Sequence, residues 1–411
     1  MSHTHEADTW RKAGQVGKRQ PQAFRRTARQ AAAAMFLLNG GLFGVWASRI
    51  PSFVDRLQIS PNLLGLLLLG MAAGGIASFP VAGRLSDRYG ASVITRHVAL
   101  LYVASLCLVG LAPSAMVLAL CIVVFGAMQG ALDVAMNAWG AEVERQFERP
   151  ILSSLHAMFS LGAGLGAMSG YLAVWYGLGT GLHFLWAGFG LGLGSYLFAR
   201  GPWPTPVAGA ESSNGLVLPR GSLAVVGLVA ACATLSEGAL ADWSGMFLHT
   251  VSHLTEAQSA LGYTAFSAAM VVMRLAGDRI VHRWGAGWSA RVGGGVAALG
   301  VLLAVSGQDI YVVLAGFALM GMGFANIAPL AFARAGSDPT LPPGTAIAAV
   351  ATFGYGGLLL GPPLIGWLSG ATSLVFGFGL LAGLALLICL FGSYLETPRT
   401  DSEQNRSHLK K

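Results

Sequence analysis

The chain has 411 residues, 54% of them hydrophobic and only 10% charged, with a mean hydropathy of +0.62. A soluble domain carries about 25% charged residues, so these figures exclude a soluble enzyme or binding module and indicate an all-α polytopic membrane protein. The net charge of +7 then bears on topology and contact with anionic lipid rather than on nucleic acid, and no nucleic-acid partner is expected.

In chain order, residues 1–30 carry "RK", "KR" and "RR" pairs and read as a disordered basic cytoplasmic tail ahead of an uncleaved first helix. Twelve apolar runs of spanning length follow, at 31–49, 62–82, 93–112, 115–138, 151–173, 182–199, 223–248, 258–276, 288–306, 310–333, 344–368 and 372–394. Strands of a membrane barrel would alternate apolar and polar residues; "LLGLLLLGMAAGG" does not. Residues 200–222, rich in Pro, Gly and Ser, read as a cytoplasmic linker between six-helix bundles at 31–199 and 223–394, with a cytoplasmic tail at 395–411. An even number of spans puts both ends on one side. With that side cytoplasmic, only Arg49 and Arg56 fall outside, leaving 25 − 2 = 23 Lys and Arg inside, as the positive-inside rule requires. Cys107, Cys121, Cys232 and Cys389 all fall within spans and read as small apolar fillers.

The two bundles share faint self-similarity. "FLLNGGLFGVWAS" (36–48) aligns with "ATLSEGALADWSG" (233–245), and Gly162 and Gly166 match Gly357 and Gly361 at an offset of 195. "GRLSDRYG" (83–90), between spans two and three, returns at that offset as Arg283, Trp284 and Gly285, with His282 in place of Asp87. This motif resembles the signature loop of the major facilitator superfamily, G-x-L-x-D-R-x-G, and the resemblance extends over roughly residues 30–395. Within that superfamily, "EGALADW", "MNAWGAEVER", "HAMFSLG" and "GYGGLLLGPPLIGWL" resemble a bacterial inner-membrane branch related to fucose-permease-type carriers. The resemblance implies two bundles rocking about a central site lined by spans one, four, seven and ten, so that Asn39, Asp133, Glu237 and Asn326 face it. It also implies a gating role for Gly83, Asp87, Arg88 and Gly90, in which the carboxylate caps a neighbouring helix when the carrier opens outward.

Polar residues inside apolar spans carry the remaining signal, because a charge in hydrocarbon costs about 3 kcal/mol even on insertion scales. Gln129, Asp133 and Asn137 recur at i, i+4, i+8 and form one stripe, either lining a cavity or joining helices as polar glue. His156 lies at about the depth of Asp133, which permits a pair without requiring one. Arg49, in "WASRIP", either snorkels and pairs with Asp55 or meets an anionic solute in an outer vestibule. Pro329 suggests a break near Asn326, and Gly361, Pro362 and Pro363 a bend in span eleven. "LGAGLGAMSG" resembles an antiporter motif but lacks its proline. Glu237 and Asp242, five residues apart in span seven, lie about 140° apart around a helix. Asp242 reads as an outer-end polar anchor or helix–helix contact. Glu237 reads as a proton carrier, neutral when occluded and ionised when the cavity meets water, with a direct substrate contact or a structural hydrogen bond as the alternatives.

No P-loop, Gly-x-Ser-x-Gly motif or zinc-ligand spacing occurs in the sequence, so neither enzyme activity, metal nor cofactor is expected. The expected function is secondary active transport of a small-molecule substrate by alternating access, proton-coupled, in a bacterial inner membrane and as a monomer. A drug or metabolite exporter working by proton antiport, or a solute sensor that does not transport, is the alternative.

Overall fold

The computed structural model describes residues 22–145, 151–201, 220–307, 309–341 and 343–396. Most of the expected basic tail, the linker and the C-terminal tail lie outside these residues; helix is already present from Gln22.

The first half comprises α1 (Gln22–Ser48), α2 (Ile50–Leu57), α3 (Pro61–Tyr89), α4 (Ala91–Gly110), α5 (Ala115–Glu144), α6 (Leu152–Trp175) and α7 (Thr180–Ala199). The second comprises α8 (Ser222–Thr250), α9 (Glu256–Ser259), α10 (Leu261–Trp284), α11 (Ala286–Ser306), α12 (Ile310–Phe324), α13 (Ile327–Gly336), α14 (Pro343–Ala371) and α15 (Leu374–Phe391), closed by a 3₁₀ turn at Gly392–Leu395. Among the described residues, 12 helical stretches are long and apolar enough to cross a membrane. The first is α1 continued by α2, and the tenth is α12 continued by α13.

Local chemistry sets the helix starts. Ser60, Ser114 and Ser373 each accept a hydrogen bond from the backbone N–H three residues on, satisfying a donor the helix leaves free. Thr255 and Gln258 form a reciprocal capping box at α9. The signature motif is itself helical. Residues 83–89 form the last two turns of α3, and only Gly90, at φ 93°, turns the chain into α4. Its counterpart Gly285 does the same between α10 and α11 at φ 84°. In both copies the arginine lies over the adjacent ring, Arg88 over Tyr89 at 5.2 Å and Arg283 over Trp284 at 5.5 Å.

Helix pairing repeats as well. In the first half α1 packs on α6 and α3 on α5; in the second α8 packs on α14 and α10 on α12. These are equivalent pairs, six spans apart. Glycine makes them close. A β-carbon on Gly40, Gly44, Gly162 or Gly166 would collide with a carbonyl oxygen across the α1–α6 contact, and one on Gly357 or Gly361 would do so across α8–α14. Lipid tails offer no hydrophobic drive for helices to associate, so backbone-to-backbone contact of this kind supplies the packing. The halves meet along α3–α14 and α6–α10, where Gly65 and Gly366 touch with a β-carbon on Gly366 reaching 2.7 Å from Gly65 Cα.

Gly162→Val is expected to force α1 from α6 and destabilise the protein by roughly 1–3 kcal/mol or more. Gly190→Ala, at a site with nothing within 4 Å, should leave the midpoint of thermal unfolding in detergent almost unchanged.

Candidate functional site

Three helices place a polar residue nine positions from an exposed leucine: Leu120 and Gln129 on α5, His156 and Leu165 on α6, Leu228 and Glu237 on α8. Nine residues at about 100° each amount to half a turn, so each polar residue faces away from the lipid side. His156 is nonetheless exposed, and on this face exposure means an internal space.

At its centre lies Arg274 of α10, 12% exposed and paired with Glu237 of α8, Nη2 to Oε2 at 3.5 Å. Its Nη1 donates to Ser160 Oγ on α6 at 2.5 Å, and its Nε donates to the carbonyl of Ala325 at 3.2 Å. Proline chemistry creates that last acceptor. Pro329 has no N–H to give the carbonyl four residues back, which is that of Ala325. The chain breaks there between α12 and α13. Asn326, half-buried at the break, donates to the Met273 carbonyl at 3.3 Å; a β-carbon on Gly277 would come within 2.6 Å of its Oδ1. Glu237 Oε1 is buried with no hydrogen-bond partner among the described residues.

The facing wall belongs to the first half. Asn137 Nδ2 donates to Asp133 Oδ1 at 3.2 Å and to the Asp133 carbonyl at 2.8 Å. Asn39, buried on α1, reaches Met136 Sδ at 3.5 Å, and Gln129 is half-buried. The His156 ring meets Phe36 edge-on at 5.2 Å, and no hydrogen bond joins it to Asp133 among the described residues. Asp242, 3% exposed, forms no side-chain hydrogen bond or ion pair among the described residues, and its Oδ1 is buried and unsatisfied there. The helix–helix anchor at this level is Trp243, whose Nε1 donates to the Pro362 carbonyl at 3.0 Å.

One face of the molecule is latched. Arg49, at the kink between α1 and α2 and 4% exposed, pairs with Glu256 of α9 at 3.3 Å. It also donates to Ser52 Oγ at 2.8 Å and to the Leu178 carbonyl at 3.1 Å. Ser52 donates to Glu256 as well, while Asp55 takes His249 at 2.9 Å. Arg49 thus binds the second half through Glu256, and Asp55 serves a separate pair. On the opposite face, which bears both described ends, no ion pair joins the halves among the described residues. Phe79 of α3 still meets Tyr355 of α14 at 6.0 Å, but Asp87 and Arg88, about 12 Å further along α3, are exposed. Asp87 has no ion pair among the described residues. Gly83 has nothing within 4 Å of a β-carbon.

Arg274, Ser160 and Glu256 escaped the sequence reading. Arg274 was counted with the cytoplasmic charges although it falls within the run 258–276, and that position was the available signal. Glu256 sits in a short connection, where nothing in the sequence marks it. No group of three His, Cys, Asp or Glu able to hold a metal occurs among the described residues, and the four cysteines are free.

A family model described as Major Facilitator Superfamily matches residues 31–343. An uncharacterized transporter of Sinorhizobium fredii is 43% identical over 89% of this chain and 97% of its own length. An uncharacterized MFS-type transporter of Yersinia pestis is 33% identical over 86% of this chain and 92% of its own, and the membrane protein MosC of Rhizobium meliloti 31% identical over 84% of each. Among solved structures, the nucleoside transporter NupG superposes with a TM-score of 0.72 at 13% identity, covering 90% of this chain and 99% of that one. A bacterial homologue of the human lysosomal transporter Spinster, inward-facing and occupied, gives 0.66 at 14% identity, covering 92% and 97%. At such identities the likeness is one of fold.

Arg49→Gln is expected to loosen the latch. In a background without the four native cysteines, a cysteine at position 244, where Ser244 is 0% exposed, should react faster with a thiol reagent. Arg56→Gln should leave that reactivity unchanged, because among the described residues Arg56 meets Ala112 and the Phe53 ring, both of its own half.

Proposed function

The chain belongs to the Major Facilitator Superfamily and is a membrane transporter rather than an enzyme; from that premise we propose that it moves a small polar solute by proton-coupled alternating access. The observation that carries this reading is the cluster of Glu237, Arg274 and Ser160, which joins two helices of one half to a helix of the other. Glu237 lies fifteen residues into a helix of 29, about midway across. A charge pair at that depth is costly to keep for packing alone, and intramembrane ionisable residues ordinarily mark solute or proton paths.

The geometry gives the cluster work to do. Glu237 holds Arg274 from one side, and Ser160 and the Ala325 carbonyl hold it from the others. A proton arriving on Glu237 removes the charge that opposes the guanidinium, and Arg274 is then free to take a polar group of the solute. Asp133, Asn137 and Asn39 supply hydrogen-bonding groups from the facing wall. The latch at Arg49–Glu256 on one face and the exposed, unlatched Asp87 and Arg88 on the other support alternating access. The distribution of Lys and Arg supports a cytoplasmic placement of both ends in a bacterial inner membrane, which makes the unlatched face the inward one. The signature motif then serves the opposite conformer, in which the inward side closes and Asp87 gains an ion-pair partner.

A thermal-shift screen against sugars, amino acids, nucleosides and drugs should return a ligand, since binding adds about 2.7 kcal/mol at a hundredfold excess over Kd; Arg274→Ala should abolish that shift. In proteoliposomes, Glu237→Gln should lose accumulation driven by a pH gradient while still exchanging solute down its own gradient. Undiminished accumulation would remove Glu237 from the proton path. Asp87→Asn should preserve insertion yet raise thiol-reagent access to cysteines placed near residues 84–90, and unchanged access with normal transport would count against a gate.

A further inference from the structure

An apolar groove of about 250 Å³ opens between α6 and α10. Its walls are Leu161, Leu165 and Met168 from the first half and Thr264, Ala268 and Val271 from the second. Its mouth is continuous with the lipid-facing surface, because Leu165, Ala268, Val272 and Leu275 are exposed on the same flank. Along α6 it runs from Ser160 to Met168, about 12 Å. Thr264 is only three residues from the start of α10, so the groove lies in the leaflet on the latched side.

Water is a poor occupant. Both hydroxyls at the groove are already engaged: Ser160 Oγ accepts from Arg274 and donates to the His156 carbonyl, and Thr264 Oγ1 donates to the Ala260 carbonyl. A water needs two to four polar partners, and an apolar cavity of about 150 Å³ stays dry and takes up benzene instead. The space is kept open by Gly164, where a β-carbon would meet Ser267 Cβ at 3.4 Å and no closer neighbour. We propose that this groove is a binding site for the acyl chain of a bilayer phospholipid, seated between the two halves. Since its base is Ser160, the chain packs against the residue that holds Arg274, and it props α6 against α10 in the latched conformer. Lipid supply would then bias the conformational equilibrium from outside the solute path, independently of which solute is carried.

The test uses the whole protein in nanodiscs containing a phosphatidylglycerol with a diazirine in mid-chain. After irradiation and peptide mapping, residues 161–168 and 264–271 should be labelled severalfold more than 100–108 of α4, whose Leu100, Leu101 and Leu108 are equally exposed. Ala268→Leu, which grows into the groove from an exposed position, should bring labelling down to the α4 level. It should also erase any rise in unfolding temperature when phospholipid is added to the detergent-solubilised protein. Gly164→Ala, at an ordinary contact distance, provides a second variant should the first fold poorly. Uniform labelling, labelling unchanged in both variants, or displacement of the lipid by a transported solute would each overturn the proposal.

Discussion

Backbone contact at glycine is the constraint on which the rest of the structure depends. Where Gly40 and Gly44 meet α6, and Gly162 and Gly166 meet α1, no side chain intervenes. Such contacts fix helices at a single separation, since any added carbon collides with a carbonyl. Because equivalent pairs recur in the second half, each half is stiff. Give is left to the contacts between halves, among them the α3–α14 and α6–α10 crossings, the ion pairs Arg49–Glu256 and Asp55–His249, the Phe79–Tyr355 ring contact and Arg274 on Ser160.

Stiff walls also allow polar groups to be kept where lipid cannot reach them. Gln129, His156 and Glu237 each stand half a turn from a lipid-facing leucine. Arg274 satisfies its donors on three helices, one of them through a carbonyl that Pro329 leaves free. A guanidinium has five N–H donors in a fixed fork, and a helix interior offers no spare acceptor for them. One proline therefore provides both the bend in span ten and the anchor for the central charge.

Much of this was legible in the sequence, for reasons that differ by feature. Spans could be read because hydrocarbon demands runs of about twenty apolar residues, and the duplication because Gly90 and Gly285 both need positive φ. Pro329 announced the break beside Asn326. What the break is for was not legible, since the donor to the Ala325 carbonyl, Arg274, lies 51 positions away on α10. Arg274 was hidden by boundary uncertainty: two residues from the end of a predicted span, a charge reads as flank. The Arg49–Glu256 pair joins connections 207 positions apart in number, and short polar connections carry no periodicity to align them. The motif at 83–90 was placed correctly between spans two and three, but as a loop; its Gly, Ser and Asp conceal two further turns of helix.

The crossing of α3 and α14 at Gly65 and Gly366 has a mechanical consequence. Interdigitated side chains act as gear teeth: one helix can tilt against another only by jumping from one set of rotamers to the next. Two bare α-carbons have no teeth. At that point α3 and α14 keep one separation but can tilt about the α-carbons, and the side-chain contacts that must give lie away from it, at Asn62 against Gly370 and at Phe79 against Tyr355. The resistance to such a tilt lies in those side-chain contacts and in the ionic latch at Arg49.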